Sequence, residues 1–308
     1  MTEAGEKTMP LLAYNELCKV RISLFSAFSA LTGFLLAARA FRPEALVLIA
    51  GVFLLASGSS GLNQYQERKI DSLMPRTERR PIPSGRMEPS HALFFSVMLI
   101  FLGSLTLLLT GRAVAPVLGL LAVIWYNGLY TLLKRKSAFA LIPGSLVGTI
   151  PPAIGWVTGG GTFLDPGLIA LCFFFFLWQV PHFWLLILSY GEEYRNAGLP
   201  SLTTIFTRTQ LLRIIVNWIF ATAVSCLFLS ISGMVLTPLI NYILLGVSLW
   251  LMATAIRLLR QGGGVSSASA SASTSTSTYA STYTSTFRRI NIYMFLVMTL
   301  LSVDKLIV

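Results

Sequence analysis

The stretch Asn63–Arg86, NQYQERKIDSLMPRTERRPIPSGR, decides how this chain is read. It sets a dense polar run against the end of an almost uninterrupted hydrocarbon segment, Leu46 to Ser60. Asn63, Glu67 and Asp71 arrive four residues apart, a spacing that stacks side chains on one helical face about 6 Å from each other. Two acids and an amide on one face offer oxygen ligands to a hard cation such as Mg2+. Arg68, Lys69, Arg76, Arg79, Arg80 and Arg86 accompany them, which is the complement an anionic phosphorylated ligand needs. A loop that is basic merely because it faces the cytoplasm accounts for the arginines. It does not account for the regular Asn/Glu/Asp row.

Outward from this stretch, the chain is hydrocarbon. Hydrophobic residues make up 55% of its 308 positions and charged ones 11%, with a mean hydropathy of +0.73. An ordinary soluble domain carries about 25% charged residues. The expected class is an all-α polytopic membrane protein. Nine spans are predicted, at 20–40, 44–64, 91–111, 114–133, 138–157, 166–189, 212–233, 236–258 and 288–308. Each is near the roughly 20 residues that a helix needs to cross a bilayer. Continuous rather than alternating apolarity excludes a β-barrel.

Alternating the nine spans puts Lys7, Lys19, Arg21, the Arg68–Arg86 set, Lys134 to Lys136 and the basic residues from Arg195 to Arg289 on one side. The other side keeps only Arg39, Arg42, Arg112 and Lys305. By the positive-inside rule the rich side is cytoplasmic and so is the N-terminus. The net charge of +11 is thus a topology signal, and no basic module outside the membrane-flanking loops points to nucleic acid. The first residues, MTEAGEKTMPLLAYNE, fit neither a signal nor a transit peptide. Cys18, Cys172 and Cys226 are scattered without metal-ligand spacing and read as small buried hydrophobes of a bacterial inner-membrane protein. Gln261–Thr286, Gly-rich then Ser/Ala/Thr-rich, reads as a flexible cytoplasmic loop in an otherwise single membrane domain over 1–308.

Within the sixth span, His182 stands beside Gln179 and Pro181. Ionisable groups at that depth are costly and usually face a cavity or a partner, and Pro181 is expected to kink the helix. A neutral histidine bonded between helices is the plainer reading. Gly144, Gly148 and Gly155 with Pro151 and Pro152 suggest close packing of the fifth span. Tyr126, Asn127 and Tyr130 are candidates for lining a cavity, whereas Trp125, Trp156 and Trp178, which could stack on a flat ligand, read first as interfacial anchors or packing residues.

The Asn63/Glu67/Asp71 row, with Met74-Pro75-Arg76-Thr77, Arg80-Pro81 and Pro83-Ser84-Gly85-Arg86 behind it, resembles the first signature of the UbiA intramembrane prenyltransferase superfamily. Further blocks are similar to its heme-farnesylating branch: Tyr130 to Arg135, the glycine and proline positions of the fifth span, and Trp178-Gln179-Val180-Pro181-His182-Phe183. Tyr194, Ala197-Gly198, Pro200 and Leu202 continue the likeness. The resemblance implies nine helices around a central cavity open to the cytoplasmic side. It implies transfer of farnesyl from farnesyl diphosphate to a vinyl group of protoheme IX, with Mg2+ as cofactor and diphosphate released. A heme A synthase or terminal oxidase assembly is then the expected downstream partner.

By the same resemblance, Asn63, Glu67 and Asp71 hold the metal, although the family usually has Asp where this chain has Glu67. A second acidic cluster falls on Glu192 and Glu193. Helical spacing places Glu193 on the face of Gln179 and His182, so Glu193 is the expected metal ligand and Glu192 the reserve. Lys134, Arg135, Arg76 and Arg80 are expected to grip diphosphate, with Lys69, Tyr130 and Tyr194 as neighbours. His182 is expected on the acceptor side, as an iron ligand, a porphyrin-orienting group or a base. Competing readings are a relative with another acceptor, such as an aromatic acid, quinone precursor or chlorophyll-type tetrapyrrole, and a non-catalytic heme carrier. The Trp178–Phe183 block favours the heme branch. No inverted duplication of the kind transporters show is visible.

Overall fold

Hydrocarbon-rich segments have to satisfy their own backbone in lipid, and helices are what they form here. The computed structural model describes residues 3–263 and 272–307, and every regular element among them is helical. Helix α1, Glu3–Cys18, precedes the spans. Then come α2 Val20–Ala38, α3 Glu44–Asp71, α4 Pro89–Leu108, α5 Val114–Leu133, α6 Leu141–Thr158, α7 Pro166–Asn196, α8 Arg208–Met234, α9 Pro238–Gln261 and α10 Ser281–Ile307. Among the described residues, these nine, α2 to α10, are long and apolar enough to cross a membrane. Alternation brings Lys19, the 72–88 connection, the 134–140 connection and the 197–207 connection to one end of the bundle.

Small residues set the closest contacts. A Cβ on Gly155 would run into the carbonyl oxygen of Ala30, and one on Gly33 into that of Pro152, so α2 and α6 pack backbone to backbone. Gly58 meets Ser96 of α4 in the same way. The expected tight packing of the glycine-bearing fifth span is therefore present. Two apolar cores result. One joins α2, α3, α4, α5 and α6 through Phe34, Leu48, Leu55, Leu107 and Ile154. The other joins α6 to α10 through Leu171, Phe174, Ile215, Tyr293 and Val297. A cavity lies between them.

Two expectations need correction. Helix α7 runs seven residues past the predicted 189, and its one non-helical residue is Tyr190 (φ −124°, ψ 16°), whereas Pro181 stands inside continuous helix. The run 261–286 is not loop throughout. Residues 264–271 lie outside the described residues, but from Ala272 the chain is helix, continuous with α10 to Ile307. Past Gly264 this run has no Gly or Pro to stop a helix that starts from a span. Tyr283, 1% exposed, fastens it, its phenol oxygen accepting from Arg208 Nε at 2.6 Å.

Candidate active site

Helix α3 carries the site because it does not stop where its apolar stretch ends. It continues to Asp71, so Asn63, Glu67 and Asp71 stay in helical register on one face. All three are buried, at 2%, 6% and 1% exposure, and all three line the cavity. Buried carboxylates need cations, and each has one. Arg80 donates to Asp71 Oδ2 at 2.7 Å, and Lys134 pairs with Glu67. Thr77 Oγ1 donates to the Asp71 carbonyl at 2.9 Å, folding the 72–80 loop back so that Arg80 reaches inward. Asn63 Nδ2 donates to Thr131 Oγ1 at 3.1 Å, and its Oδ1 accepts from the Tyr126 hydroxyl at 3.4 Å.

The facing wall is α5, where residues Ile124–Tyr130 widen into a π-helical turn, a local feature frequent at functional sites. Asn127 clamps the turn to α3. Its Nδ2 donates to the Ser59 carbonyl at 3.0 Å and its Oδ1 accepts from Ser59 Oγ at 2.6 Å. The clamp leaves Tyr126 and Tyr130, stacked with ring centroids 5.7 Å apart, facing the cavity. Trp125 donates to the Pro143 carbonyl at 2.8 Å and so ties α5 to α6.

The cavity measures about 1180 Å3, more than the roughly 300–1,000 Å3 usual for one small ligand. Its mouth is cationic: Arg76, Arg79, Arg80, Lys134 and Lys19 all line it. Lys19 gets there because φ of 45° at this residue breaks the chain between α1 and α2. Burial pulls its ammonium down to about 7, and nearby Arg80 acts in the same direction, against the opposing pull of Glu67. The side wall is aromatic. Trp178 is held by its Nε1 donating to the Ile290 carbonyl at 3.0 Å. The His182 ring lies 4.8 Å from Trp178 and 4.7 Å from Phe287 by centroids. His182 Nδ1 and Gln179 Oε1 are buried without hydrogen-bond partners among the described residues. The Gln179 amide lies directly over Gly148, where a Cβ has no room.

The structure thus gathers most of the sequence-derived set: Asn63, Glu67, Asp71, Arg76, Arg80, Tyr130, Lys134, Gln179, His182 and Tyr194 share the cavity. Four others stand apart from it. Lys69 is exposed on the outer side of α3. Arg135 reaches back to donate to the Gln66 carbonyl at 2.8 Å. Glu192 is exposed, and neither it nor Glu193 lines the cavity. The break at Tyr190 is the reason, since it ends the helical register that put Glu193 below His182. Trp125 and Trp156 also serve packing instead of the cavity, the latter donating to Asp165 Oδ2 at 2.9 Å. Lys19 was readable only as a topology charge, and Arg79 only as one of a basic set beside the acidic row. Nothing in their local sequence announces the fold-back that turns them inward.

Two carboxylates and an amide suit Mg2+, which is commonly held by one or two carboxylates plus substrate phosphates. No larger group of His, Cys, Asp or Glu that could hold a metal occurs among the described residues. The donor chemistry at Asn63, Glu67 and Asp71 fits that ion, with Arg80 and Lys134 paired to the carboxylates.

Fold and site together define an integral membrane protein with a cavity of apolar and aromatic walls under a cationic mouth. Residues 26–276 match the UbiA prenyltransferase family, and the chain belongs to that family and is a prenyltransferase. It is 40% identical over 218 residues to a protoheme IX farnesyltransferase of Geobacter sulfurreducens, covering 71% of this chain and 80% of that one. It is 35% identical over 300 residues to one of Oleidesulfovibrio alaskensis, covering 96% and 98%. Its fold resembles a digeranylgeranylglyceryl phosphate synthase (TM-score 0.73, 16% identity, 97% and 99% covered). It also resembles a UbiA homolog from Archaeoglobus fulgidus bound to GPP and Mg2+ (0.63, 14%, 92% and 99%).

Proposed function

We propose that this enzyme transfers the farnesyl group of farnesyl diphosphate to a vinyl group of protoheme IX. The observation that carries the reading is the Asn63/Glu67/Asp71 face with its two cationic partners, set at the mouth of a cavity large enough for two substrates. The identity to farnesyltransferases over nearly the whole chain supports the choice of substrates.

Asn63, Glu67 and Asp71 would hold Mg2+, which supplies charge neutralisation to the departing diphosphate. Arg80 and Lys134, now on the carboxylates, turn to the diphosphate oxygens, with Arg76 and Lys19 beside them. The C–O bond of the allylic diphosphate breaks, and the new C–C bond joins farnesyl C1 to the terminal vinyl carbon. Water adds at the carbon next to the macrocycle and a proton leaves, giving the hydroxyethylfarnesyl side chain. The aromatic wall of Trp178, Phe287 and His182 offers the flat macrocycle its surface, with Gln179 Oε1 and His182 Nδ1 as free polar anchors. Closed apolar walls keep bulk water from the cation until capture.

The basic end of the bundle faces the cytoplasm of a bacterial inner membrane in this proposal, with the N-terminus inside. The product passes to a heme A synthase or terminal oxidase assembly. Expression in a bacterium lacking its own heme O synthesis, followed by mass spectrometry of extracted hemes, tests the reading. Hydroxyethylfarnesyl heme supports it. Unaltered protoheme, or a different prenylated acceptor, overturns it.

A further inference from the structure

A hydroxyl carries one proton, and where that proton goes decides which way its neighbours face. Thr131 stands at the end of the π-helical turn of α5 and is 1% exposed. In an ordinary helix a threonine hydroxyl bonds a carbonyl three or four residues back. Here the π turn brings up the Tyr126 carbonyl, five residues back. The Thr131 N–H bonds it, and Thr131 Oγ1 donates to it at 2.8 Å. The turn is fastened from α3, where Gln66 Nε2 donates to the Asn127 carbonyl at 3.1 Å beside the Ser59–Asn127 clamp.

A backbone carbonyl can only accept, so the Thr131 proton is committed to Tyr126 and a lone pair is left toward α3. Asn63, 2% exposed, meets Thr131 Oγ1 at 3.1 Å. The lengths agree with this direction, 2.8 Å being usual for O–H···O and 3.1 Å lying in the N–H···O range. Asn63 must then give Thr131 its NH2 group, which leaves Oδ1 on the side of Tyr126. Tyr126 lines the cavity and Thr131 does not. The Tyr126 hydroxyl approaches Oδ1 only to 3.4 Å, beyond the range of a strong O–H···O bond, so a lone pair remains for a cation. Direction matters because a hard ion takes an amide through its oxygen. Turned the other way, Asn63 would offer N–H hydrogens to the metal beside Glu67 and Asp71.

We propose that Thr131 sets the amide of Asn63 so that oxygen, and not NH2, faces the divalent cation. The proposal rests on the metal reading above and adds a positioning residue, one that acts through Asn63 from outside the cavity. The π turn gains a purpose by it, since without the shifted Tyr126 carbonyl the Thr131 proton would be available to Asn63.

The experiment uses full-length enzyme in lipid nanodiscs with saturating farnesyl diphosphate. Mn2+, which like Mg2+ takes oxygen ligands in octahedral geometry, is titrated and its free form followed by paramagnetic resonance. The Mg2+ dependence of diphosphate release is read beside it. Thr131→Val keeps the shape and loses the hydroxyl. It is expected to weaken Mn2+ binding by about 10–100-fold, the usual loss when a group that orients a metal ligand is removed. Half-maximal Mg2+ moves by the same factor, while kcat at saturating Mg2+ recovers. Thr131→Ser, whose hydroxyl can make both bonds, stays near wild type. Thr131→Cys, with a weaker acceptor in the same place, falls between the two and decides the matter where Thr131→Val does not fold. Asn63→Asp presents oxygen whichever way it turns, so on that background Thr131→Val is expected to change Mn2+ binding little. A purely structural Thr131 predicts the same loss on both backgrounds, and that result overturns the proposal. So does wild-type Mn2+ binding in Thr131→Val. Wild type that binds no Mn2+ refutes the metal reading itself, and the proposal with it.

Discussion

Arg80 reaches 2.7 Å from Asp71 across nine residues of chain, and Asp71 is 1% exposed at the inner end of that bond. The last acid of the α3 row is therefore neutralised by the loop that follows it. Breaking the pair from the cationic side leaves a buried carboxylate without its strongest partner. Arg80→Ala is expected to cost about 1–3 kcal/mol of stability, read as a lower unfolding temperature in detergent, and to raise KM for farnesyl diphosphate. Asp71→Ala is expected to lower kcat/KM by about 10²–10³-fold, the usual loss when a group stabilising transition-state charge is removed. Unchanged turnover in Asp71→Ala removes that residue from the reaction.

Lys134 makes the same kind of pair with Glu67 one turn higher. Lys134→Met is expected to raise KM for the donor more than it lowers kcat, with Lys134→Arg recovering part of the loss because the charge returns. Initial-rate kinetics at saturating protoheme give the split. Equal KM in all three proteins rules out contact with diphosphate.

Lys19 supplies a pH signature. Its ammonium ionises at about 7, well below the ordinary lysine value of 10.5, because burial penalises the charge. The sign follows. Below pH 7 the folded protein carries the charge and the mouth is at its most cationic. Above pH 7 the charge is lost unless diphosphate binding restores it with uptake of a proton. Donor KM is thus expected to rise as pH goes from 7 upward, and Lys19→Met should raise KM at pH 6 while flattening the rise above 7. Because the diphosphate also titrates, the difference between the two proteins is the quantity to compare. Parallel profiles contradict the assignment.

On the aromatic wall, His182→Ala is expected to weaken protoheme binding, followed by the Soret band, and to leave farnesyl diphosphate binding intact. The unpartnered Nδ1 and the ring contacts with Trp178 and Phe287 place the residue away from the cationic mouth. Loss of donor binding in this variant moves His182 to the other substrate.

What the sequence disclosed follows from how local each feature is. The α3 row was legible because one uninterrupted helix carries it, so spacing alone sets the face. Nine spans were legible because lipid demands continuous apolar helices. Glu193 falls outside the cavity lining, past the one residue, Tyr190, that leaves helical torsions. Lys19 and Arg79 enter the mouth only through chain reversals whose causes lie in distant contacts, including Arg86 bonding both Glu16 and the Arg79 carbonyl. The Ser/Thr run after Ala272 looked like loop by composition, yet it joins a helix that Arg208 and Tyr283 anchor from α8.

The most direct measurement is to incubate purified enzyme with farnesyl diphosphate and protoheme, first stripped of divalent ions and then with Mg2+ restored, following diphosphate and heme mass together. The proposal expects no product without metal and equal amounts of diphosphate and hydroxyethylfarnesyl heme once Mg2+ returns. Farnesylation at full rate in the stripped enzyme, or diphosphate release with protoheme untouched, would contradict it.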